Sequence, residues 1–248
     1  MSNIAVLVTT FNRPQALALA LPFIKTAADH VGAPIIVVDD GSEPGSSVTN
    51  QEIILSNGLS KASLLSIPQN RGLACALNIG FSYLLADANI EWISYFQDDV
   101  EVDPLCLEVM QNIVEPAFPL MTGHDAKEHV VDEAFDHKGV RFLLKQSIRA
   151  THMHLSRGLC EKLLPLPTRE LGCPKRVLGQ ERGLGSNVDW VISDFVVKRA
   201  GYSIACIPGL VRTFLWKEEE SCWGNTQKAG EDPPLSRDAI RGWLDQHL

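Results

Sequence analysis

Apolar residues near the N-terminus fall in short unbroken blocks, and the segments between them carry the wider spacing of helices. Ile4 to Val8 is a continuous apolar run, which predicts a strand buried on both faces. Asn12 can cap the helix that follows, with Pro14 in its first turn, where a missing N–H costs nothing. That helix is expected over Pro14 to Ala28, with a kink at Pro22. A second buried strand, Pro34 to Val38, runs into the turn signal Asp39-Asp40-Gly41-Ser42. A helix near Thr49 to Ser56, a strand at Ser63 to Ile67, a long helix at Arg71 to Ala86 and a strand at Ile90 to Phe96 follow. Strands separated by helices imply right-handed crossovers, hence an α/β fold with a mostly parallel central sheet flanked by helices.

The second half is less regular. A helix opening at Asp103-Pro104 and ending near Ile113, a strand at Phe118 to Thr122 and a polar hairpin within His124 to Lys145 are expected. Ser147 to Leu155 reads as a strand, and Ser156 caps a helix to Leu164. Glu170 to Ser186, with four glycines, reads as a loop. Ser186 or Asn187 caps a helix from Val188 to Ala200, closed by Gly201. Strands at Ser203 to Ile207 and Leu210 to Phe214 come next, then a last amphipathic helix from Ser236 presenting Ile240, Trp243 and Leu244. No repeat or linker divides the chain, so residues 1–248 are read as one domain.

Composition narrows the function. The 248 residues are 45% apolar and 21% charged, an ordinary globular mix. Lys plus Arg (22) against Asp plus Glu (30) leaves a net charge of −8, which argues against a general nucleic-acid binder. The longest stretch free of charged residues, Gly72 to Ala86, has 15 residues. A membrane-spanning helix needs about 20, so none is expected. Met1 to Val8 lacks a basic lead and a cleavage site, so no secretory leader is expected either. The six cysteines include no C-x-x-C pair, which disfavours a zinc site and suits reduced thiols.

Ligands of open α/β sheets bind beyond the carboxyl ends of the strands. That edge collects Thr9 to Pro14, Asp39 to Ser42 and Gln97 to Val100, and with them the carboxylates of Asp39, Asp40, Asp98 and Asp99. Like charges so close need a cation or hydrogen-bond donors to offset them. Hard oxygen ligands favour Mg²⁺ or Mn²⁺, which commonly keep positions open for phosphate oxygens. The alternative is that these aspartates form turns and cap helices. There is no G-x-x-x-x-G-K-[ST], G-x-S-x-G or H-E-x-x-H motif.

Val8-Thr9-Thr10-Phe11-Asn12-Arg13-Pro14, Val37-Val38-Asp39-Asp40-Gly41-Ser42, Asn70-Arg71-Gly72 with Asn78-Ile79-Gly80, and Gln97-Asp98-Asp99-Val100 resemble, in that order, the signature of family 2 glycosyltransferases. The likeness continues more weakly in Asn187-Val188-Asp189-Trp190. It implies a single GT-A domain, with a nucleotide-sugar-binding half at about 1–105 and an acceptor-binding, catalytic-base half at about 106–248. It also implies sugar transfer from a UDP-linked donor to an acceptor hydroxyl, with inversion, on a carbohydrate, lipid-linked or protein-linked acceptor. Thr9 and Phe11 would line the nucleobase pocket, Asp39 would accept a hydrogen bond from the base, and Arg71 would sit near the base or phosphates. Asp98 would contact the ribose or sugar, and Arg13, Asp40 and Asn78 would complete the nucleotide-sugar set. Asp99 would hold Mn²⁺ or Mg²⁺ against the diphosphate, and Asp189 would be the general base.

Three departures keep a second reading open, that of a catalytically silent nucleotide-sugar-binding or scaffold protein. The usual triple-acid loop begins with Gln97, the usual Glu-Asp pair reads Val188-Asp189, and Val211 to Leu215 lacks the His that completes many metal sites. His152 or His154 could substitute, being on one face of a strand, or both could be hydrogen-bonded in or near the core. A nucleotidyltransferase would want a glycine-rich loop after the first strand, which Thr9 to Pro14 is not. A cytoplasmic location is expected, with peripheral attachment at the inner membrane face left open.

Overall fold

A computed structural model of the chain describes residues 3–113, 118–126, 129–137, 139–166, 168 and 188–214. The expected loop at Glu170 to Ser186 and the helix from Ser236 lie outside the described residues. The first half alternates as its pattern predicts: β1 (Ile4–Thr10), α1 (Pro14–Val31), β2 (Ile35–Asp39), α2 (Pro44–Ser56), β3 (Leu64–Ser66), α3 (Leu73–Leu85) and β4 (Trp92–Gln97). Helix α2 starts earlier than the apolar spacing suggests, because Pro44 supplies a first-turn residue that needs no N–H partner. Helix α1 continues through Pro22. Pro22 and Ala18, whose carbonyl loses its donor, both lie on the exposed side, where water can serve that carbonyl. Asn12 does not cap α1; the cap position is Arg13, and Asn12 sits in the left-handed region at φ 53.

The second half supplies β5 (Val100–Val102), α4 (Cys106–Ile113), β6 (Leu120–Thr122), the hairpin β7 (Val131–His137) and β8 (Val140–Lys145), β9 (His152–Ser156) and α5 (Arg157–Leu163). It closes with α6 (Val188–Asp194), β10 (Ile204–Cys206) and β11 (Val211–Thr213). Ser156 caps α5 as expected, its Oγ accepting from Leu159 N–H at 3.3 Å. The helix expected to reach Ala200 passes after Asp194 into a π turn, Phe195–Arg199.

Among the described residues, nine strands form one sheet in the order β3-β2-β1-β4-β9-β6-β10-β8-β7, while β5 and β11 pair apart. Strands β3, β2, β1 and β4 are parallel throughout, as the crossovers require. Beyond β4 the sheet is mixed: β9 runs antiparallel to both β4 and β6, and the β7–β8 hairpin closes the far side. The reversal of β9 matters for function. It brings the start of β9, rather than its end, to the carboxyl edge of β4.

Alternate residues of β1 feed two cores. Ala5 and Leu7 pack with Leu77, Phe81 and Tyr95 on the α3 side, and Val6 and Val8 with Leu17, Leu21 and Phe96 on the α1 side. Covering both faces explains the unbroken apolar run. Gly80 sets the α3 distance, since a Cβ there would stand 2.4 Å from Leu7 Cδ1. Arg157 ties the end of α3 to α5, donating to the carbonyls of Leu85, Asp87 and Ile90 at 2.6–2.9 Å. These are the carbonyls a helix end leaves without intrahelical donors and the turn just beyond it.

Neither His152 nor His154 is placed to serve as a ligand. His152 lies fully inside the fold, stacked on Phe96. Its Nδ1 accepts from Gly123 N–H at 2.8 Å, so Nε2 carries the proton toward Ser94 Oγ at 3.1 Å. His154 stacks on Trp92 with ring centroids 4.9 Å apart, and neither ring nitrogen has a hydrogen-bond partner. Burial pushes its pKa down to about 3. The unfolded chain therefore takes up a proton below about 6.5 that the folded chain refuses until about 3. Stability contributed by neutral His154 is complete above that window and is lost as pH falls through it, by up to about 1.4 kcal/mol per pH unit. His154→Phe should flatten this loss between pH 7 and 4, measured as the slope of urea-unfolding free energy against pH.

Candidate active site

The strand register assembles the site. Thr10 stands beside Asp39 across β1–β2, and Thr9 stands beside Gln97 across β1–β4. Gln97 N–H donates to Thr151 O at 3.0 Å, which draws the residues just before β9 to the same edge. The loops after β2, β1 and β4 and the approach to β9 therefore converge, as expected for a ligand site on such a sheet.

Each carboxylate of the edge is offset differently. Asp39 is buried, with Oδ1 accepting from Ser42 N–H at 2.9 Å and Oδ2 from the Asn50 side chain at 3.1 Å. Asp40 anchors the turn before α3: it accepts from Arg71 N–H at 3.0 Å, from Gly72 N–H at 2.9 Å and from the Asn70 side chain at 3.0 Å. Its carboxylate thus holds protein backbone, which explains the pairing of Asp39-Asp40-Gly41-Ser42 with Asn70-Arg71-Gly72. Gly41, at φ 73, lets the two turns touch; a Cβ there would lie 2.2 Å from Asn70 N.

Asp98 and Asp99 form the acidic centre. Thr10 Oγ1 donates to Asp98 Oδ2 at 2.7 Å. The Arg13 guanidinium spans both acids, with Nη1 3.3 Å from Asp98 Oδ1 and Nη2 3.1 Å from Asp99 Oδ2. Burial is the largest influence on Asp98 and pushes its carboxyl up to about 7, against the opposing pull of Arg13. Asp99 Oδ1 is buried and has no hydrogen-bond partner. A desolvated carboxylate oxygen without a donor is costly unless a ligand completes it, so this atom suits a cation.

The remaining expected positions divide. Thr9 Oγ1 and Tyr95 OH share a buried hydrogen bond of 2.9 Å, while Phe11 is half-buried just after β1. The Arg71 side chain is exposed. Asn78 clamps Leu166, its Nδ2 donating to the carbonyl at 3.0 Å and its Oδ1 accepting from the N–H at 2.7 Å, so both amide atoms hold backbone.

Asp189 lies in the first turn of α6 and accepts from Trp190 N–H at 2.8 Å. It also accepts from the Ala150 backbone, which connects it through Thr151 to Gln97. Burial pushes its carboxyl up to about 6, with these hydrogen bonds and the exposed Arg149 acting in the other direction.

Sequence reasoning misread one contributor, Asn12, and passed over another, Arg149. Asn12 N–H donates to Ser42 Oγ at 2.8 Å and Asn12 Oδ1 accepts from Glu43 N–H at 2.7 Å, so Asn12 joins the first two loops instead of capping α1. Asn is the residue that best tolerates a left-handed turn after Gly, which was its available signal. Arg149, an isolated basic residue, carries no motif at all.

The sequence model described as Glycosyl transferase family 2 matches residues 5–156. The chain belongs to that family. The match covers the three edge loops and β9 and stops before Asp189. No curated protein matches the chain significantly. Among solved structures, it is similar to a mannosyltransferase from Pyrobaculum calidifontis in complex with GDP-Man and Mn²⁺, at 15% identity and TM-score 0.62, covering 99% of this chain and 70% of that one. It is also similar to glucosyl-3-phosphoglycerate synthase from Mycobacterium tuberculosis with Mn²⁺ and UDP-Glc, at 16% identity and TM-score 0.55, covering 88% and 73%. At such identities the likeness establishes the GT-A fold.

The contact between the two turns gives a direct check. Gly41→Ala meets both a positive φ and the backbone of Asn70, and should cost about 3 kcal/mol of unfolding free energy in a urea titration.

Proposed function

We propose that this glycosyltransferase moves a sugar from a UDP-linked donor to an acceptor hydroxyl with inversion, using Mn²⁺ or Mg²⁺ at Asp99 and Asp189 as general base. The observation that carries the reading is Asp99 Oδ1, buried and unpartnered at the convergence of the edge loops. Among the described residues no three His, Cys, Asp or Glu side chains cluster to hold a metal. Asp99 alone therefore suits an ion whose other ligands are diphosphate oxygens and water. Held there, such an ion would neutralise charge on the departing nucleoside diphosphate. The two solved relatives, one with GDP-Man and Mn²⁺ and the other with UDP-Glc and Mn²⁺, support the nucleotide-sugar and metal parts of this reading.

The chain's own groups supply the rest. Phe11 offers an aromatic face to the nucleobase, and Asp39 retains a lone pair on each oxygen for a base N–H. Arg71, exposed beside the Asp40 turn, faces the base or phosphates; Thr9, Asp40 and Asn78 act by shaping the walls. Asp98, braced by Thr10 and Arg13, meets the ribose or sugar. Asp189 accepts the proton of the acceptor hydroxyl as that oxygen attacks the anomeric carbon, and the carbon–phosphate oxygen bond breaks on the opposite face. A carboxylate with a pKa near 6 is mostly ionised at pH 7 yet basic enough for this task. Residues 1–105 thus hold the donor, and residues 106–248 carry the base and the acceptor surface.

The test is sugar transfer from UDP-sugars with Mn²⁺, beside thermal-shift titrations with UDP. Asp189→Asn should lower kcat by about 10³-fold or more while leaving the UDP-induced shift within 1 °C of wild type. Equal activity in the variant would remove Asp189 as base, and no shift with any nucleoside diphosphate would remove the donor reading. The rate should also fall below pH 6 as Asp189 takes up its proton. Arg149→Gln removes a charge that favours the carboxylate, so its acidic limb should move to higher pH.

A further inference from the structure

Arg13 occupies a position that the metal reading alone does not explain. Its guanidinium faces both acids of the Asp98–Asp99 pair at 3.1–3.3 Å, and 15% of its side chain is exposed, against 6% for Asp98 and 18% for Asp99. A cation placed so close to the proposed metal ligand would ordinarily weaken metal binding. The backbone holds it there firmly. Asn12, on its N-terminal side, is fixed at positive φ by hydrogen bonds to Ser42 and Glu43, and Pro14 on the other side begins α1. Thus Arg13 is built into the site.

We propose that Arg13 makes metal binding conditional on the donor diphosphate, so that the ion enters with the nucleotide and does not load first. With both acids ionised, the two carboxylates and one guanidinium carry a net charge of −1, half of what the acids alone would present to a dication. Arg13 also occupies Asp99 Oδ2, which leaves Oδ1 as the one oxygen of that carboxylate without a partner. A divalent ion arriving alone therefore meets a single uncommitted oxygen and a nearby positive charge. A diphosphate changes both conditions: it brings several oxygen ligands and enough negative charge to outweigh the guanidinium, which can donate to phosphate oxygens as it does to carboxylates. Arg13 in this account is a positioning residue that sets the order of assembly. The inference rests on the donor-and-metal reading above.

The measurement is Mn²⁺ affinity by electron paramagnetic resonance of the free ion, on the full chain, with and without saturating UDP. Wild type should bind Mn²⁺ at least about tenfold more tightly with UDP than without. In Arg13→Gln, Mn²⁺ alone should bind about tenfold more tightly than in wild type, the scale of one unit charge near a half-buried ion, and the UDP-dependent ratio should shrink accordingly. Arg13→Lys, whose single ammonium cannot bridge both acids, should fall between the two and carries the test if the glutamine variant does not fold. An unchanged ratio in a folded variant, or weaker binding of Mn²⁺ alone, overturns the role of Arg13 and leaves the donor reading standing. Absence of UDP-dependent Mn²⁺ binding in wild type overturns both.

Discussion

Everything at the ligand edge follows from the need to keep four aspartates together at the ends of adjacent parallel strands. Unscreened, they would repel one another and resist burial. The fold answers each one separately. Asp40 gathers backbone donors from the turn before α3, Asp39 takes one donor from its own turn and one from α2, and Asp98 shares Thr10 and Arg13. The carboxylates with a donor on each oxygen brace the loops. Asp99, whose Oδ1 is left without a donor, is the one that suits chemistry. The same arithmetic of donors and charges therefore ranks the four acids by the capacity each has left for a ligand, which a motif cannot do.

The parallel half of the fold was legible because its signals are local. Buried strands read as unbroken apolar runs, and turns announce themselves through Asp-Asp-Gly-Ser and Pro14. The order of the edge motifs was equally legible, since each occupies the end of one strand. What stayed hidden depends on contacts between distant segments. Asn12 looks like a helix cap until Ser42 and Glu43 are brought against it. His152 and His154 share a strand face in any reading, but whether that face meets solvent or core depends on β4 and β6 lying on either side of β9. Asn78 reads as a ligand-binding residue until Leu166 takes both atoms of its amide.

The π turn that ends α6 belongs to the same class of hidden feature. Nothing in Phe195–Arg199 forbids an ordinary helix, yet the backbone there takes wider hydrogen bonds directly after the segment that bears Asp189. Such turns are rare and occur often beside functional residues. Here the π turn follows the C-terminal end of α6, whereas Asp189 stands in its first turn. Asp189 itself is held at its own end, by the amides of Trp190 and Ala150.

The reversed direction of β9 has a consequence for how the family can diversify. Because Gln97 N–H bonds to Thr151 O, and Ala150 in turn donates to the Asp189 carboxylate, Asp189 is indexed to the end of β4 by two hydrogen bonds. The β7–β8 hairpin hangs from β10, three strands farther along the sheet. That margin can lengthen, shorten or change in sequence without touching either of the hydrogen bonds that link Asp189 to β4. The far margin of the sheet and the spacing between Asp189 and the acidic centre are thus mutationally separable, though one continuous sheet carries both.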